Sequence, residues 1–526
     1  MNKWFIYICI FLLYSIPVTA TDPPIFGYID RNDLDSISEF LIHHNINGIY
    51  GSDSITILTY TIMSGRAGTV DFLLNQGADP NQFVKGKSPL MYAIESGSRR
   101  KVKILLDYNA NINAMDKEGN HSLIYAAING NVGIIKTLLR NGAYLNHENK
   151  DFISAYNMAL RTNNTDAAKY LKLTYEKNLP DLHDGPYISW KNNDKIKAFY
   201  LSHDSTKNIS KKITETFRAD SEPFIMNGFS KDVLDYTLWK TADPAPSQFN
   251  NINKLLIIGD IHGGYDSLVL FLQSNHVIDS GLNWIWKDGH LLLLGDIFDR
   301  GDKVTEVLWL IYELEHQAIN SGGFVHYLLG NHEILILLKN QLYVNDKYFY
   351  LTKRLRLTYG YIFNKKTILG QWLRTKNTII KIDDKLFVHA GISPEVAELK
   401  LSMDELNEMV RFFLNHPERN RKYGKENKEL LLGMKGPFWY RGYLEDNTQY
   451  EQISEEKLDQ ILQQYNVSKI FVGHNNVDEI TTLFNHKIYF MDVPFYTHGY
   501  SMEAILIENG NIYILNTHGN KEKCNL

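Results

Sequence analysis

Hydrophobic positions repeat at a regular spacing over the first third of the chain. Apolar pairs recur every 32 or 33 residues, with the first members Phe40, Leu73, Leu105, Leu138 and Tyr170. Small residues that let helices approach recur 33 apart, at Ala93, Ala126 and Ala159. Units of this size cannot bury an apolar face alone, so they must stack on one another. The pattern predicts an all-α solenoid of helix pairs over residues 21–178.

Turn residues follow the middle three apolar pairs. Gly77, Asn109 and Gly142 stand where the second helix of each unit should end, in the left-handed conformation that glycine and asparagine tolerate. The hexapeptide Ser88-Pro89-Leu90-Met91-Tyr92-Ala93 opens one unit. Together these features resemble the ankyrin repeat, in four to five units, although the family prefers histidine where Met91 stands. The resemblance implies that the array recruits a protein partner or substrate; the alternative is that it only packs against the rest of the chain.

The pattern of apolar and polar residues changes at Lys254, after which short apolar runs each end in a polar motif. Runs of this length favour buried strands, and helical stretches at 265–274 and 303–320 separate the first three. Strands alternating with helices predict an α/β sandwich, with ligands bound where strand ends meet loops. The motifs that follow the runs are Gly259-Asp260-Ile261-His262-Gly263, Gly295-Asp296-Ile297-Phe298-Asp299-Arg300-Gly301, Gly330-Asn331-His332-Glu333, His389-Ala390-Gly391 and Gly473-His474-Asn475.

These motifs contain the residue types that bind a pair of divalent metal ions. Two ions about 3.5–4 Å apart can hold a phosphate and a hydroxide in line, with one carboxylate bridging them. Asp260 and His262 follow one strand and can reach the same ion, and Asp296 is the natural bridge. The predicted remaining ligands of the second ion are Asn331, His389 and His474.

Five motifs in this order resemble those of the calcineurin-like metallophosphoesterases, and in particular of the phosphoprotein phosphatase branch. The resemblance runs over about residues 254–516, and we assign it a domain of residues 251–526. It implies two mixed sheets flanked by helices. It also implies two divalent metal ions as cofactors, with manganese expected first and iron or zinc as alternatives.

The resemblance further implies roles for residues beside the ligands. A metal-bridging hydroxide would attack phosphorus directly, without a phosphoenzyme. Asp299 would orient His332, which would protonate the leaving oxygen as a general acid. Arg300 would hold phosphate oxygens with its planar donor fork. Arg441, in Trp439-Tyr440-Arg441-Gly442-Tyr443, falls where a second phosphate-binding arginine is expected.

Two motifs depart from the eukaryotic Ser/Thr phosphatases. Those enzymes usually have His-Gly-Gly where this chain has His389-Ala390-Gly391, and Gly-His-Thr where it has Gly473-His474-Asn475. The departures indicate a bacterial-type branch that includes tyrosine-directed enzymes, so Ser/Thr and Tyr specificity both stay open. A dinucleoside-polyphosphate hydrolase is an alternative, but Glu333 favours a protein phosphatase. A further alternative is an ankyrin-based adaptor with a silent phosphatase domain, although none of the predicted ligands is missing.

The N-terminus has the layout of a signal peptide, residues 1–20. One lysine precedes an apolar run of 14 residues from Trp4 to Pro17, and Val18-Thr19-Ala20 offers a cleavage site. The run is short for a membrane span, which needs roughly 20 residues, and a retained anchor is the alternative. We therefore predict export, with no membrane contact after cleavage. Cys9 would leave with the signal, so Cys524 would have no internal disulfide partner.

Composition narrows the classes of partner. With 44% hydrophobic residues and a net charge of −5, the chain is globular and lacks the basic character of a nucleic-acid binder. A phosphoprotein substrate and a protein partner are the partners that we expect. An exported enzyme with ankyrin repeats also suggests a secreted effector delivered to a host cell.

Residues 179–250 connect the two predicted domains. Tyr187 to Trp190 and Ile196 to Leu201 are strand-like runs separated by a polar turn, which predicts a β-hairpin. The preceding Asp184-Gly185-Pro186 resembles the start of an extension found on some bacterial-type phosphatases. Ala242 to Gln248 contains two prolines and is the expected flexible joint.

Overall fold

The computed structural model describes residues 24–524, apart from 151–152, 178–180, 193–194, 219–222, 227–235, 240–242, 342, 420–421, 445–449 and 494–500. The predicted signal segment, residues 1–20, lies outside this described part. Within it, no helix combines the length and the hydropathy that a membrane span needs. The chain divides into two units, residues 1–179 and 180–526, which we describe in turn.

The first unit is a stack of helix pairs, as predicted. Within each pair the helices contact each other, and each first helix contacts the first helix of the next pair. A two-stranded sheet of Ile49–Tyr50 (β1) and Ile55–Thr56 (β2) precedes the second pair. The helices are Pro24–Arg31 (α1), Leu34–His43 (α2), Ile57–Ser64 (α3), Ala67–Asn75 (α4), Pro89–Glu95 (α5), Arg99–Asp107 (α6), Ser122–Asn129 (α7), Val132–Arg140 (α8), Ala155–Arg161 (α9) and Thr165–Lys177 (α10).

The periodic residues end and pack these helices. Gly77, Asn109 and Gly142 have φ of +94°, +61° and +91°, so the predicted left-handed terminations are present. At each one the amide of the next residue, three after the end of the helix, donates to a leucine carbonyl, as in Ala78 N to Leu73 O (3.0 Å), which satisfies the last turn. Ala93, Ala126 and Ala159 are fully buried between neighbouring helices.

An asparagine ladder links successive turns of the stack. Asn47 Nδ2 donates to Gly77 O (3.3 Å) and its Oδ1 accepts from Asp79 N (2.8 Å). Asn81 makes the same pair of bonds to Asn109 O and Asn111 N, and Asn113 makes it to Gly142 O and Tyr144 N. One residue type therefore connects three consecutive interfaces in the same way.

The second unit contains a sandwich of two six-stranded mixed sheets. The strands are Gln248–Phe249 (β8), Lys254–Ile258 (β9), His290–Leu293 (β10), Phe324–Tyr327 (β11), Ile379–Ile382 (β12), Lys385–Val388 (β13), Lys469–Asn476 (β14), Thr481–Leu483 (β15), Ile488–Asp492 (β16), Glu503–Glu508 (β17), Asn511–Asn516 (β18) and Lys521–Lys523 (β19). The first sheet has the order β11-β10-β9-β17-β18-β19 and the second β15-β16-β14-β13-β12-β8.

Alternating residues of the two sheets meet in the sandwich interior. Leu255 and Ile257 of β9 pack in one buried cluster with Phe387 of β13 and Phe471 of β14. The intervening residues, such as Leu256 and Ile258, face the helices instead and belong to a second, larger cluster. Strands buried on both faces explain why the sequence shows continuous apolar runs rather than alternation.

Helices cover the outer faces of the sandwich, so the predicted fold class is confirmed. They lie between the strands in sequence, as strand–helix alternation predicts. The helices are Tyr265–Ser274 (α11), Val304–Asn320 (α12), Asn331–Leu337 (α13), Asp346–Arg354 (α14), Tyr359–Ile362 (α15), Ile368–Leu373 (α16), Pro394–Glu398 (α17), Met403–Asn415 (α18), Lys425–Leu431 (α19) and Glu455–Tyr465 (α20).

A three-stranded antiparallel sheet precedes the sandwich. Its strands are Leu182–Asn192 (β3), Lys195–Asp204 (β4) and Ile209–Arg218 (β5), one strand more than the hairpin that the sequence predicts. β3 contacts α12 and α16, and β4 contacts α14. A short hairpin follows, Phe224–Met226 (β6) with Tyr236–Leu238 (β7).

Candidate metal centre

The two sheets bring the predicted metal ligands to one edge of the sandwich. β9, β10 and β11 are parallel neighbours, and Asp260, Asp296 and Asn331 follow them. In the second sheet β13 and β14 are parallel, with His389 just after β13 and His474 within β14. Carboxyl ends of parallel strands lie together, so these side chains converge from both sheets.

Glycines let the backbone approach the ligands. A Cβ on Gly330 would lie 2.1 Å from Asp296 Oδ1, and one on Gly473 would lie 2.3 Å from Asp260 Oδ1. No side chain fits at such distances, which explains why the motifs contain glycine there. Asp296 and His474 themselves have positive φ, +51° and +63°, a strained conformation that clusters at functional sites.

Two groups of buried side chains can each hold a cation, and they share Asp296. One group is His262, Asp296 and His332; the other is Asp296, His389 and His474. In each group the candidate ligand atoms lie within 4.8 Å of one another. Asp296 Oδ2 is 3.8 Å from His262 Nε2 and 3.3 Å from His389 Nε2, so it lies between the two groups; its role as a bridge stays a prediction.

The other two predicted ligands lie beside these groups. Asp260 Oδ2 is 3.9 Å from His262 Nε2, and Asp260 Oδ1 is 3.9 Å from His389 Nδ1. Asn331 Oδ1 is 2.8 Å from His389 Nε2. All six predicted ligands are therefore adjacent and buried, in a cluster rich in oxygen and imidazole donors, which suit first-row divalent metals.

Backbone carbonyls orient two of the histidines. His262 Nδ1 donates to Phe298 O (2.8 Å), and His389 Nδ1 donates to Leu294 O (2.9 Å). A proton held on Nδ1 turns the Nε2 atom toward the ligand cluster, as in known metal sites. His474 Nε2 is buried with no hydrogen-bond partner in the described part of the chain. Its lone pair could instead bind a cation.

The charges of the cluster also fit a cation. Burial and the neighbouring Asp492 raise the pKa of Asp260 well above its ordinary value, because carboxylates crowd together there. Burial holds the pKa of His262 and His474 well below the usual range, so both are neutral and able to ligate. Burial would lower the pKa of His389, but Asp296 and Asp260 raise it to about 10, so a cation and a proton compete for this ring.

Glu333 anchors the loops that carry the ligands. Its carboxylate accepts hydrogen bonds from Asp296 N (2.9 Å), Ile297 N (2.8 Å) and Gly330 N (2.6 Å). The side chain is fully buried and joins the loops after β10 and β11. In the sequence Glu333 only helped to separate two enzyme classes; the structure gives it a supporting role beneath Asp296.

Asp299 and His332 form a buried pair beside the candidate bridge. His332 Nδ1 lies 2.7 Å from Asp299 Oδ2, and His332 Nε2 lies 3.8 Å from Asp296 Oδ2. The contact to Asp299 directs the ring so that Nε2 faces the cluster. The predicted orienting and acid residues are thus placed together, while their catalytic roles remain predictions.

The two arginines lie close to the same cluster. Burial is the main cause of the low pKa of His262 and His474; Arg300 lowers the pKa of His262 further, and Arg441 that of His474. Arg441 Nη1 donates to Asn475 Oδ1 (3.2 Å), next to His474. Their positions suit phosphate binding beside the metal ligands.

Sequence reasoning missed Asp492. This carboxylate ends β16, is buried, and neither oxygen has a hydrogen-bond partner among the described residues. Burial raises its pKa to about 6, against the opposing effect of Arg300. The signal was present, because Ile488 to Met491 is a further apolar run that ends in a polar residue, but no glycine motif marked it.

Comparisons with known proteins agree with this geometry. Residues 253–478 match the family model of calcineurin-like phosphoesterases. A crystal structure of a cold-active protein-tyrosine phosphatase from a psychrophilic Shewanella species is 33% identical, with a TM-score of 0.56; the match covers 65% of this chain and 99% of that one. This chain belongs to the calcineurin-like phosphoesterases. The chain also matches family models of ankyrin repeats, at residues 28–116 and 118–150.

Curated relatives match this phosphoesterase at lower sequence identity. Shewanella-like protein phosphatase 1 of Plasmodium berghei is 28% identical over 233 residues, which are 43% of this chain and 63% of that protein. Shewanella-like protein phosphatase 2 of Arabidopsis thaliana is 21% identical over 277 residues, 43% of this chain and 69% of that protein. The chain thus spans somewhat less than two thirds of the Plasmodium relative.

Proposed function

We propose that this chain is a metal-dependent protein phosphatase that hydrolyses phosphomonoesters. The observation that carries the proposal is Asp296, which lies between His262 on one side and His389 on the other, with the Asp299–His332 pair beside it. Such a site binds a phosphoryl group and has a proton donor next to it. The protein phosphatases among the related sequences support the same activity.

The ligand cluster would hold two divalent ions. Asp260, His262 and Asp296 would bind one ion, and Asp296 would share the second with Asn331, His389 and His474. The ions would supply a water of lowered pKa as nucleophile and neutralise the phosphoryl oxygens. We propose manganese, with iron or zinc as alternatives, because imidazole and carboxylate donors accept all three.

The remaining polar residues would bind the phosphoryl group and move one proton. His332 would hold a proton on Nε2 and donate it to the leaving oxygen, while Asp299 keeps the ring oriented through Nδ1. Arg300 and Arg441 would bind phosphoryl oxygens. The low exposure of the cluster strengthens each of these charged contacts.

We propose phosphotyrosine as the preferred residue. The related Shewanella enzyme, 99% of which this chain covers, is named a protein-tyrosine phosphatase. Half-buried Trp439 stands edge-on to His474, with ring centroids 5.8 Å apart, and offers an aromatic surface next to the site. A phosphotyrosine ring could pack there, whereas the shorter phosphoserine could not reach as far.

We further propose that the ankyrin repeats recruit the phosphoprotein. Phe83, Met115 and Tyr144 are large hydrophobic residues on the turns of the stack, and each is 44–59% exposed. Exposed apolar side chains on a solenoid favour protein contacts. We also propose that residues 1–20 direct export, and that the protein is delivered to a host cell as an effector.

The test is a comparison of substrates on purified full-length protein with added manganese. We expect hydrolysis of p-nitrophenyl phosphate, and on a phosphopeptide array faster release from phosphotyrosine than from phosphoserine or phosphothreonine. Fast cleavage of diadenosine tetraphosphate to two diphosphates would favour a nucleotide hydrolase instead. No turnover with Mn, Fe, Zn, Co or Ni would favour the adaptor, in which binding alone is the activity.

Recruitment has a separate test. Replacing Phe83, Met115 and Tyr144 together by serine should raise KM for a phosphoprotein substrate and leave KM for p-nitrophenyl phosphate unchanged. Equal effects on the two substrates would contradict recruitment. Fractionation of host cells after exposure, with no protein in their cytosol, would contradict the effector role.

A further inference from the structure

The loop that carries Arg300 has a backbone conformation that needs support. Asp299 and Arg300 are consecutive non-glycine residues with φ of +68° and +62°. Left-handed residues of this kind persist only where their surroundings fix them. The position of the Arg300 guanidinium therefore depends on what holds residues 299–304.

The segment that leads into α14 supplies part of this support. Arg300 N donates to Tyr343 O (3.1 Å), and Asn345 Nδ2 donates to Arg300 O (2.8 Å). Both polar groups of the Arg300 backbone are thus bonded to one neighbouring segment. The start of the loop is therefore tied to the segment that leads into α14.

Two side chains of α14 hold the far end of the loop. Lys347 Nζ donates to Asp302 O (2.6 Å), and Tyr348 OH donates to the same oxygen (2.9 Å). Tyr348 OH also accepts from Val304 N (2.7 Å), the first residue of α12. The loop is therefore bonded at one end to the segment that precedes α14 and at the other end to α14 itself.

Lys347 is itself held by a carboxylate from the preceding sheet. Its Nζ lies 3.3 Å from Asp184 Oδ1 and 3.7 Å from Glu306 Oε1, and the side chains of Lys347 and Asp184 are buried. Burial alone would lower the pKa of Lys347, but Asp184 and Glu306 raise it above its ordinary value. The ammonium is charged at neutral pH, and Asp184 is its closest carboxylate.

Asp184 is in turn locked to the sandwich. It stands on β3, where the strand register breaks between Asp184 and Tyr187. Its Oδ2 accepts from Tyr187 OH and from Thr305 Oγ1 (3.3 Å). Trp309 Nε1 donates to Pro186 O (2.9 Å), so β3 is bonded to α12 at two points.

We propose that Lys347, anchored by Asp184, is a positioning residue that sets the Arg300 loop for phosphate binding. The three-stranded sheet is then a working part of the phosphate site and not only a connection between units. Asp184 of this sheet holds the Lys347 ammonium, which donates to Asp302 O. These contacts keep the loop that carries Arg300 in place. The inference rests on the proposed function for its consequence, but the chain of contacts is independent of it.

Two measurements on full-length Lys347→Met test the proposal. Hydrogen exchange of peptides covering residues 299–304 should become at least about tenfold faster, since local opening exposes backbone amides. Titration calorimetry of the manganese-loaded protein with orthophosphate should show about tenfold weaker binding, because an anion clamp displaced by about 1 Å loses this much or more. KM for p-nitrophenyl phosphate should rise more than kcat falls.

Lys353→Met is the matched control, since Lys353 is an exposed lysine of the same helix. It should change neither exchange in the loop nor orthophosphate affinity. Tyr348→Phe is the second variant, because it removes one hydroxyl and keeps the ion pair; its effects should be in the same direction and smaller. It keeps the test valid if Lys347→Met does not fold.

The outcomes separate this inference from the proposed function. Faster exchange and weaker orthophosphate binding in the variants support it even if no ester is hydrolysed by the wild type. Unchanged exchange and unchanged affinity in folded Lys347→Met and Tyr348→Phe overturn it, whatever the enzyme's activity. A fall in kcat alone, or a wild type that binds no orthophosphate, also overturns it.

Discussion

The two units of this chain stabilise their polar groups in opposite ways. In the first unit, side-chain bonds join positions about one repeat apart, as from Asn81 to Asn109 (28 residues) and to Asn111 (30 residues). In the second unit, by contrast, Asp260 accepts from His474 N across 214 residues. The first unit spreads small, equal contributions along the stack, whereas the second concentrates charge and strain in one place.

This contrast teaches where a change should matter. A substitution in the stack should alter local stability and leave the chemistry unchanged, because the bonds within the stack join neighbouring repeats. A substitution in the ligand cluster should abolish turnover with little effect on the stack. Four changes test this contrast, beginning with the largest expected effect.

Asp296→Asn should nearly abolish turnover. The asparagine amide is uncharged and has a single oxygen, so it cannot replace a carboxylate shared by two cations. We expect kcat for p-nitrophenyl phosphate to fall by about 10³-fold or more. Metal content, measured by mass spectrometry, should fall as well. Exposed Asp288, which precedes β10 whereas Asp296 follows it, provides the control Asp288→Asn, with full activity. Retained turnover in Asp296→Asn would show that the concentrated site is not the one used.

Asp299→Asn should lower kcat by about 10²-fold, the usual contribution of an oriented general acid. The loss should be larger with phenyl phosphate than with p-nitrophenyl phosphate, since the poorer leaving group needs the proton more. In His332→Asn the loss should be similar, and the double variant should be little worse than either single one. Additive losses would mean that the two residues do not act as a pair. His486→Asn, at an exposed histidine, is the control.

His121→Gln should remove a pH dependence from the stack. Burial and His147 lower the pKa of His121 to about 4, so between pH 4 and 6.5 the unfolded chain binds more protons than the folded one. The folded first unit has its full stability with respect to His121 above about pH 6.5. Its unfolding free energy then decreases as the pH falls, by about 2 kcal/mol between pH 7.5 and 5. Hydrogen exchange of α7 and α8 should report this loss in the wild type and not in the variant.

The control for this change is His43→Gln, at an exposed histidine of the same unit, which should keep the wild-type pH dependence. Turnover at pH 7.5 should be the same in all three proteins. A pH dependence that survives in His121→Gln would place its origin elsewhere in the stack.

Asn81→Ala should have the smallest effect. It removes two ladder bonds at an exposed site, and we expect a loss of about 1 kcal/mol from the unfolding free energy of the first unit. Urea unfolding followed by hydrogen exchange measures it, and Gln76→Ala is the exposed control. A change in kcat for p-nitrophenyl phosphate would contradict the separation of the two units.

The first unit was predictable because its signals are local. A 33-residue period, a leucine pair and a turn residue all fall within one repeat, and Gly77, Asn109 and Gly142 adopt the left-handed conformation that their positions suggested. The ladder was not predicted, because an asparagine in a turn has many uses and only the stacked geometry selects one.

The ligand cluster was predictable for a different reason. A strand followed by a short polar motif places its residues at the sheet edge, so Asp260, Asp296 and His389 could be foreseen together. Asp492 ends a strand in the same way but has no motif, and Asp184 and Lys347 meet only through tertiary packing. Ion pairs between distant segments leave no spacing in the sequence, which is why they escaped.

The asparagine ladder has a consequence for how such a chain could change in length. Excision of residues 89–121, one period, would join Ser88 to Ser122 and leave Asn81 facing the partners that Asn113 now holds, Gly142 O and Tyr144 N. Both ladder bonds of Asn81 would then have an equivalent replacement. The number of repeats can therefore change in whole units, and such a change should leave the ligand cluster unaltered.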